Sequence, residues 1–198
     1  MKKLVIYAFA VLVMAACTDK KEKVLEQSNE QSQNISDDKQ DSISQEQAVR
    51  DAMGEYLVNE IGKHYQQGEV CVPTLMIVAT EESDSTKAQV WCDCWIDWYR
   101  VASDTLKTVS GGNHSGLMTL QLKDGKPVVT AFEQTLDGNR FLPSAKRIFG
   151  KHYDVYEGMH SKQDVREAAR KEQLREYVLR HKLNIRYYQD YGWDAVEL

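Results

Sequence analysis

Two carboxylates, Asp93 and Asp97, alternate with three large rings, Trp91, Trp95 and Tyr99, at every second position of the stretch Val90–Tyr99. Two Asp side chains at this spacing can share a proton for acid–base work, or can hold the polar groups of a bound molecule. Trp rings beside them wall a pocket and stack well on sugars and cations. These five residues are therefore the candidate ligand-binding set. The competing reading is a strand face whose rings are covered by later helices and whose carboxylates pair with Lys or Arg. Paired carboxylates alone do not define a catalytic site, and no catalytic residue is assigned.

Of the four cysteines, Cys92 and Cys94 fall in the same stretch, with Cβ atoms too far apart for easy bridging. Cys71, on the preceding segment, can face either. The alternatives are one cross-strand bridge plus a spare thiol, or three buried reduced thiols. A metal site on Cys-x-Cys needs two further ligands, and no Cys or His lies nearby in sequence, so no metal is expected. His114-Ser115, in the Gly-rich stretch Ser110–Gly116, invites a base–nucleophile reading. Neighbours in extended backbone point opposite ways, so the two cannot form a catalytic pair. A tight turn with loose glycines is the expectation there. No His-Glu-x-x-His, P-loop or dinucleotide fingerprint occurs, and no cofactor is expected.

These residues need elements to position them. In Val90–Tyr99 the other alternate row, Val90, Cys92, Cys94, Ile96 and Trp98, is wholly apolar, so the segment reads as a strand with one dry face and one mixed face. Ser44-Gln45-Glu46-Gln47 has the form of a capping box. Behind it Val49, Ala52, Met53, Tyr56, Leu57, Ile61 and Tyr65 recur at helical spacing, an amphipathic helix of about five turns ending before Gly68. Its stripe is expected to pack on the apolar strand row.

Glu69–Thr80 reads as the first strand, with Pro73 placing it at an edge, a bulge or a strand start. Glu81–Ser85 reads as a polar turn, and Thr105–Ser110 as extended chain broken at Gly111-Gly112. Ser115–Lys123 and Lys126–Gln134 flank Asp124-Gly125, a strong hairpin signal. After Thr135 the pattern becomes helical. Ser144–Phe149 follows Pro143 and stops at Gly150. His152–His160 carries another turn or two. Ser161–Asp164 resembles a second capping box before a long helix from Val165 to about Lys182. Its charges, including Glu167–Lys171, read as a solvated face. Tyr187, Tyr188, Tyr191 and Trp193 suggest a tail packed on the domain as a last strand, or one that docks onto another chain. The expected fold class is α+β: an N-terminal helix on a curved antiparallel sheet of three to four strands, followed by C-terminal helices.

The chain start carries a separate message. Met1-Lys2-Lys3 precedes an apolar run, Leu4–Met14, and then Ala15-Ala16-Cys17. The run is too short for a permanent span, which needs about 20 residues, and has the form of a secretory signal peptide. Met14-Ala15-Ala16-Cys17 resembles a bacterial lipoprotein lipobox. That resemblance implies cleavage before Cys17 and lipid attachment to its sulfur, hence a membrane anchor facing the cell envelope, periplasmic or at the cell surface. Each buried methylene of an acyl chain contributes about 0.8 kcal/mol, so two or three chains hold a protein stably. Residues 17–43 are dominated by Lys, Glu, Gln, Ser, Asn and Asp and read as a disordered tether with a reach of roughly 30 Å. Residues 44–198 are expected to form one domain. The formal charge of −5 becomes −7 without Lys2 and Lys3, which gives nucleic acid no electrostatic footing.

A helix before a curved meander, with Ser110–Met118, Leu136-Asp137-Gly138 and Ser144–Gly150, resembles the cystatin-like and NTF2-like exported domains over roughly Ser44–Gly150. The resemblance implies an enzyme, a binding module or a bare scaffold alike. The leading expectation is a non-catalytic binding module for a small molecule or a protein partner. The alternatives are a hydrolase or isomerase with Asp93 or Asp97 as base, and a subunit docking through its aromatic tail.

Overall fold

The computed structural model describes residues 45–84 and 86–198. The signal peptide, Cys17, the tether and the capping residue Ser44 lie outside them. Helix α1, residues 45–56, tightens into a π-helical turn, Leu57–Ile61, and a 3₁₀ turn, Gly62–His64. Four long strands follow: β1 (Val70–Asp84), β2 (Lys87–Ala102), β3 (Thr105–Lys123) and β4 (Lys126–Gln134). Three helices come next, α2 (Phe141–Phe149), α3 (Tyr153–His160) and α4 (Gln163–Arg180). The tail adds two short strands, β5 (Tyr187–Gln189) and β6 (Val196–Glu197). The fold is α+β, with an N-terminal helix, C-terminal helices and a curled, largely antiparallel sheet ordered β1-β2-β3-β5-β6. Strand β4 pairs with β3 beyond that path. Among the described residues no helix is long and apolar enough to cross a membrane.

The apolar row of β2 meets α1 as its periodicity requires. Val90, Cys92, Cys94 and Ile96 are fully buried in one cluster with Met53 and Leu57, and Val49, Ala52, Tyr56 and Ile61 close its sides. Each such aliphatic side chain contributes roughly 1.5–3 kcal/mol by leaving water. Trp98, last in the row, donates its Nε1–H to the Gly62 carbonyl at 2.9 Å, satisfying the frayed end of the helix. The mixed row faces the other way, toward α2, α3 and α4. The sheet is therefore covered on both sides.

Strand β1 is an edge, as Pro73 requires. Its exposed backbone is met by a side chain. Gln173 of α4 accepts from the Leu75 N–H (2.8 Å) and donates to the Leu75 carbonyl (3.2 Å), reproducing one rung of a ladder. Strand β3 is the hub. It pairs with β5 in parallel over Thr105–Lys107 and with β4 over Gly116–Lys123. The β3–β4 turn has positive φ at both Asp124 (51°) and Gly125 (77°), the type I′ geometry that Asp-Gly predicts.

Three sequence expectations are corrected. The break at Gly111-Gly112 is absent, because β3 runs through both glycines. They serve close approach instead: a Cβ at Gly111 would overlap the Asp97 carboxylate and the Ile96 carbonyl, and one at Gly112 would overlap the Tyr65 hydroxyl. The polar turn at Glu81–Ser85 is largely strand, since β1 extends to Asp84. Glu81 pairs with Gln89 across the ladder and its side chain meets Lys151 (2.5 Å) and His152 (3.0 Å) from the helix layer. Ser161 does not cap α4; the N-cap position is Lys162, with no side-chain bond.

A substitution pair tests the close approach. Gly111→Ala should lower stability in urea unfolding by about 1–3 kcal/mol. Gly158→Ala, in α3 with open space around its added methyl, should raise it by about 0.5–1 kcal/mol. Equal stability of Gly111→Ala and wild type would remove the steric account of that strand.

Candidate functional site

The mixed row of β2 divides into sealed ends and a polar middle. Trp91 is buried among Ala145, Ile148, Phe149 and Tyr156, and its Nε1–H donates to the Ile148 carbonyl at 2.8 Å. Tyr99 is buried at the other end with Leu106, Leu174, Val178 and Tyr188. Asp93, Trp95 and Asp97 lie between these two apolar clusters, where the helix layer supplies polar groups.

Asp93 is fully buried and saturated. It accepts hydrogen bonds from Asn113 Nδ2 (2.6 Å), Ser115 Oγ (2.7 Å) and His160 Nδ1 (3.0 Å). Asn113 and Ser115 share its face because β2 and β3 pair in register there. Burial alone would raise the Asp93 pKa, but these donors outweigh it and hold the carboxyl below its usual range. A carboxylate so enclosed is a fixed anion that orients His160. The His160 ring also stacks on Tyr156 at 5.1 Å between centroids.

Asp97 is treated differently. It is only 7 % exposed, yet no side-chain hydrogen bond reaches it among the described residues, and its nearest cation, Arg170 Nε, is 3.8 Å away. Arg170 is committed elsewhere. It donates to Asp190 through both terminal nitrogens (2.6 Å each), to Thr108 (3.1 Å) and to Tyr99 Oη (3.0 Å). Burial therefore pushes the Asp97 pKa up to about 6, Arg170 only partly opposing it. Burial would raise Asp190 as well, but the bonds from Arg170 and Thr108 hold it low.

Beside Asp97 is a cavity of about 120 Å³ lined by Thr74, Trp95, Asp97, Arg166, Arg170 and Asp190. The Trp95 Nε1–H is buried and has no hydrogen-bond partner. One face of its ring is covered by the Arg166 guanidinium, 4.4 Å from the ring. Of the five candidates, the structure thus brings Trp95 and Asp97 together at a cavity, locks Asp93 beside it, and packs Trp91 and Tyr99 into apolar clusters. A larger, more open groove of about 720 Å³ runs between α1 and α4 over β1. Its rim sets Arg50 and Arg180 among Asp51, Glu55, Glu172 and Glu176, two cations against four carboxylates.

No disulfide joins the cysteines among the described residues. Cys92 and Cys94 are buried and Cys71 is half-buried, all unbridged. Cys71 stands opposite Trp98, four positions beyond Cys94 on β2 and so about 13 Å along the strand. His114 and Ser115 point to opposite faces, as extended backbone demands. His114 meets Tyr65 Oη (2.9 Å) and Gln134 Oε1 (2.6 Å) under α1, while Ser115 meets Asp93. The stretch around them is strand rather than turn. The tail divides too: Tyr188 is buried and donates to Glu167 (3.1 Å), whereas Tyr191 and Trp193 are 96 % and 72 % exposed.

Sequence reasoning missed Ser115, Asn113, His160, Arg166, Arg170 and Asp190. Arg170 left one signal, standing four residues before Leu174 and eight before Val178 on the buried stripe of α4. The charged face expected of α4 is exposed at Glu172 and Glu176, while Arg170 is buried on the apolar stripe. No protein-family model, curated protein or solved structure matches the chain.

The raised Asp97 pKa has a definite sign. Between about pH 4 and 6 the folded chain holds a proton that the unfolded chain has released, so this group's contribution to stability rises as pH falls toward 4. Above pH 6 the buried charge is a cost of about 3 kcal/mol. Asp97→Asn should therefore stabilise the protein at pH 7.5 and flatten the gain seen in wild type between pH 7 and 5. Urea unfolding across that range checks it, and a destabilised Asp97→Asn at pH 7.5 would contradict the assignment.

Proposed function

We propose that the protein is an exported, lipid-anchored binding module that works without catalysis and takes a small molecule in the cavity beside Trp95 and Asp97. One observation carries the reading. A buried indole N–H without a hydrogen-bond partner and a largely buried carboxylate that no side-chain hydrogen bond reaches among the described residues front the same small space. A buried polar group left unsatisfied costs about 1–3 kcal/mol. A molecule that bonds both groups recovers that cost, and a purely structural packing of helices on β2 offers no reason to leave them open. The anchor is supported by the sequence Met1–Cys17 alone.

Thermal melts of the full chain against a panel of small cations, anions and neutral polar metabolites should reveal at least one that raises the midpoint. Trp95→Phe, which deletes the N–H and keeps an aromatic ring, should abolish that shift while still melting cooperatively. A panel without any stabilising compound, or an undiminished shift in Trp95→Phe, would defeat the cavity reading. The anchor has its own measurement: labelled palmitate should enter the wild-type protein in bacterial cells and be absent from Cys17→Ser.

A further inference from the structure

Accounting for every donor and acceptor around the cavity narrows what can enter it. Arg170 spends its guanidinium on Asp190, Thr108 and Tyr99, and both Asp190 oxygens are filled by Arg170 and Thr108. Arg166 donates through Nε and one terminal nitrogen to Glu167 and lies over the Trp95 ring. The opposite charges thus cancel in pairs within the wall. Three groups remain open: the Trp95 N–H, a pure donor; the Asp97 carboxylate, an acceptor; and the Thr74 hydroxyl, which is in no hydrogen bond among the described residues and can act either way.

An anion entering this space meets Asp97 with no donor already in place on its oxygens. A cation meets two guanidinium groups, one of them 3.8 Å from the same carboxylate. An uncharged molecule with adjacent donors and acceptors meets neither penalty. A hydroxyl group donates one hydrogen bond and accepts others at a single oxygen, so two neighbouring hydroxyls can give to Asp97, receive from Trp95 and exchange with Thr74. The space, about 120 Å³, is on the scale of a three-carbon polyol or of one edge of a sugar. From this complementarity we infer that the cavity binds the vicinal hydroxyls of a small uncharged polyol or sugar. The inference rests on the cavity being a binding site and adds the chemical class of its ligand.

Calorimetric titration of the full chain with glycerol and ribose, beside methylammonium, guanidinium and acetate, tests the class. At least one polyol should bind saturably, and the three charged probes should not. Affinity for the polyol should fall about tenfold in Trp95→Phe and comparably in Thr74→Val, each of which removes one hydrogen bond, the second with almost no change in volume. Thr74→Val guards against a folding defect at Trp95, and each variant's melt is measured alongside. Binding of a charged probe in place of the polyols, with loss in Trp95→Phe, overturns the ligand class and leaves the binding site standing. Polyol binding unchanged in both variants removes it from this cavity. No heat with any probe, together with no stabilising compound in the wider panel, overturns class and site alike.

Discussion

Strand β2 is buried on both faces, yet one of those faces carries Asp93 and Asp97. A carboxylate cannot leave water without donors or a counter-charge. That requirement, more than apolar contact, fixes what lies across the mixed face. Asp93 draws His160 at the end of α3, with Asn113 and Ser115 from the neighbouring strand. Asp97 faces Arg170 of α4, and Arg170 in turn grips Asp190 just after β5. Two acidic residues on one strand thereby face the third helix, the fourth and the tail in succession.

The two carboxylates reach different electrostatic ends from nearly equal burial. Asp93 has three donors at hydrogen-bond distance and stays an anion. Asp97 has one cation just outside that distance, and that cation is shared with a second carboxylate. Arg170 favours Asp190 because its planar fork meets both oxygens there, an arrangement that one approach through Nε to Asp97 cannot equal. The cavity is the space left by that preference. Its location between two apolar clusters follows from the same strand, since Trp91 and Tyr99 seal the row at either end and exclude water from everything but the middle.

On the other face the packing is mostly apolar, with His114 held between Tyr65 and Gln134, and the sheet's irregularities serve close approach. Gly111 and Gly112 let β3 pass close to Asp97 and Tyr65, and the outer side of β3 is divided between β4 at one end and β5 at the other. The β1 edge is closed by Pro73, which has no N–H to offer, and by the Gln173 amide. An open edge is a template for pairing with other chains, and these two residues blunt it.

Local periodicity was enough to place α1, β1, β2, β4, the Asp-Gly turn and α4, because spacings of 2 and 3.6 residues declare a buried face without reference to anything distant; it broke β3 at its glycines, whose close contacts lie far off in sequence. It also assigned the apolar row of β2 to the first helix, since each was the complement of the other. What only the tertiary structure decided were pairings between residues far apart in sequence: Asp93 with His160 across 67 positions, Arg170 with Tyr99 across 71, Gln173 with Leu75 across 98. A charged residue reads the same locally whether it is solvated or buried against a partner. Which carboxylate is saturated and which is left open is set by the geometry of groups that meet only when the helices close over the sheet.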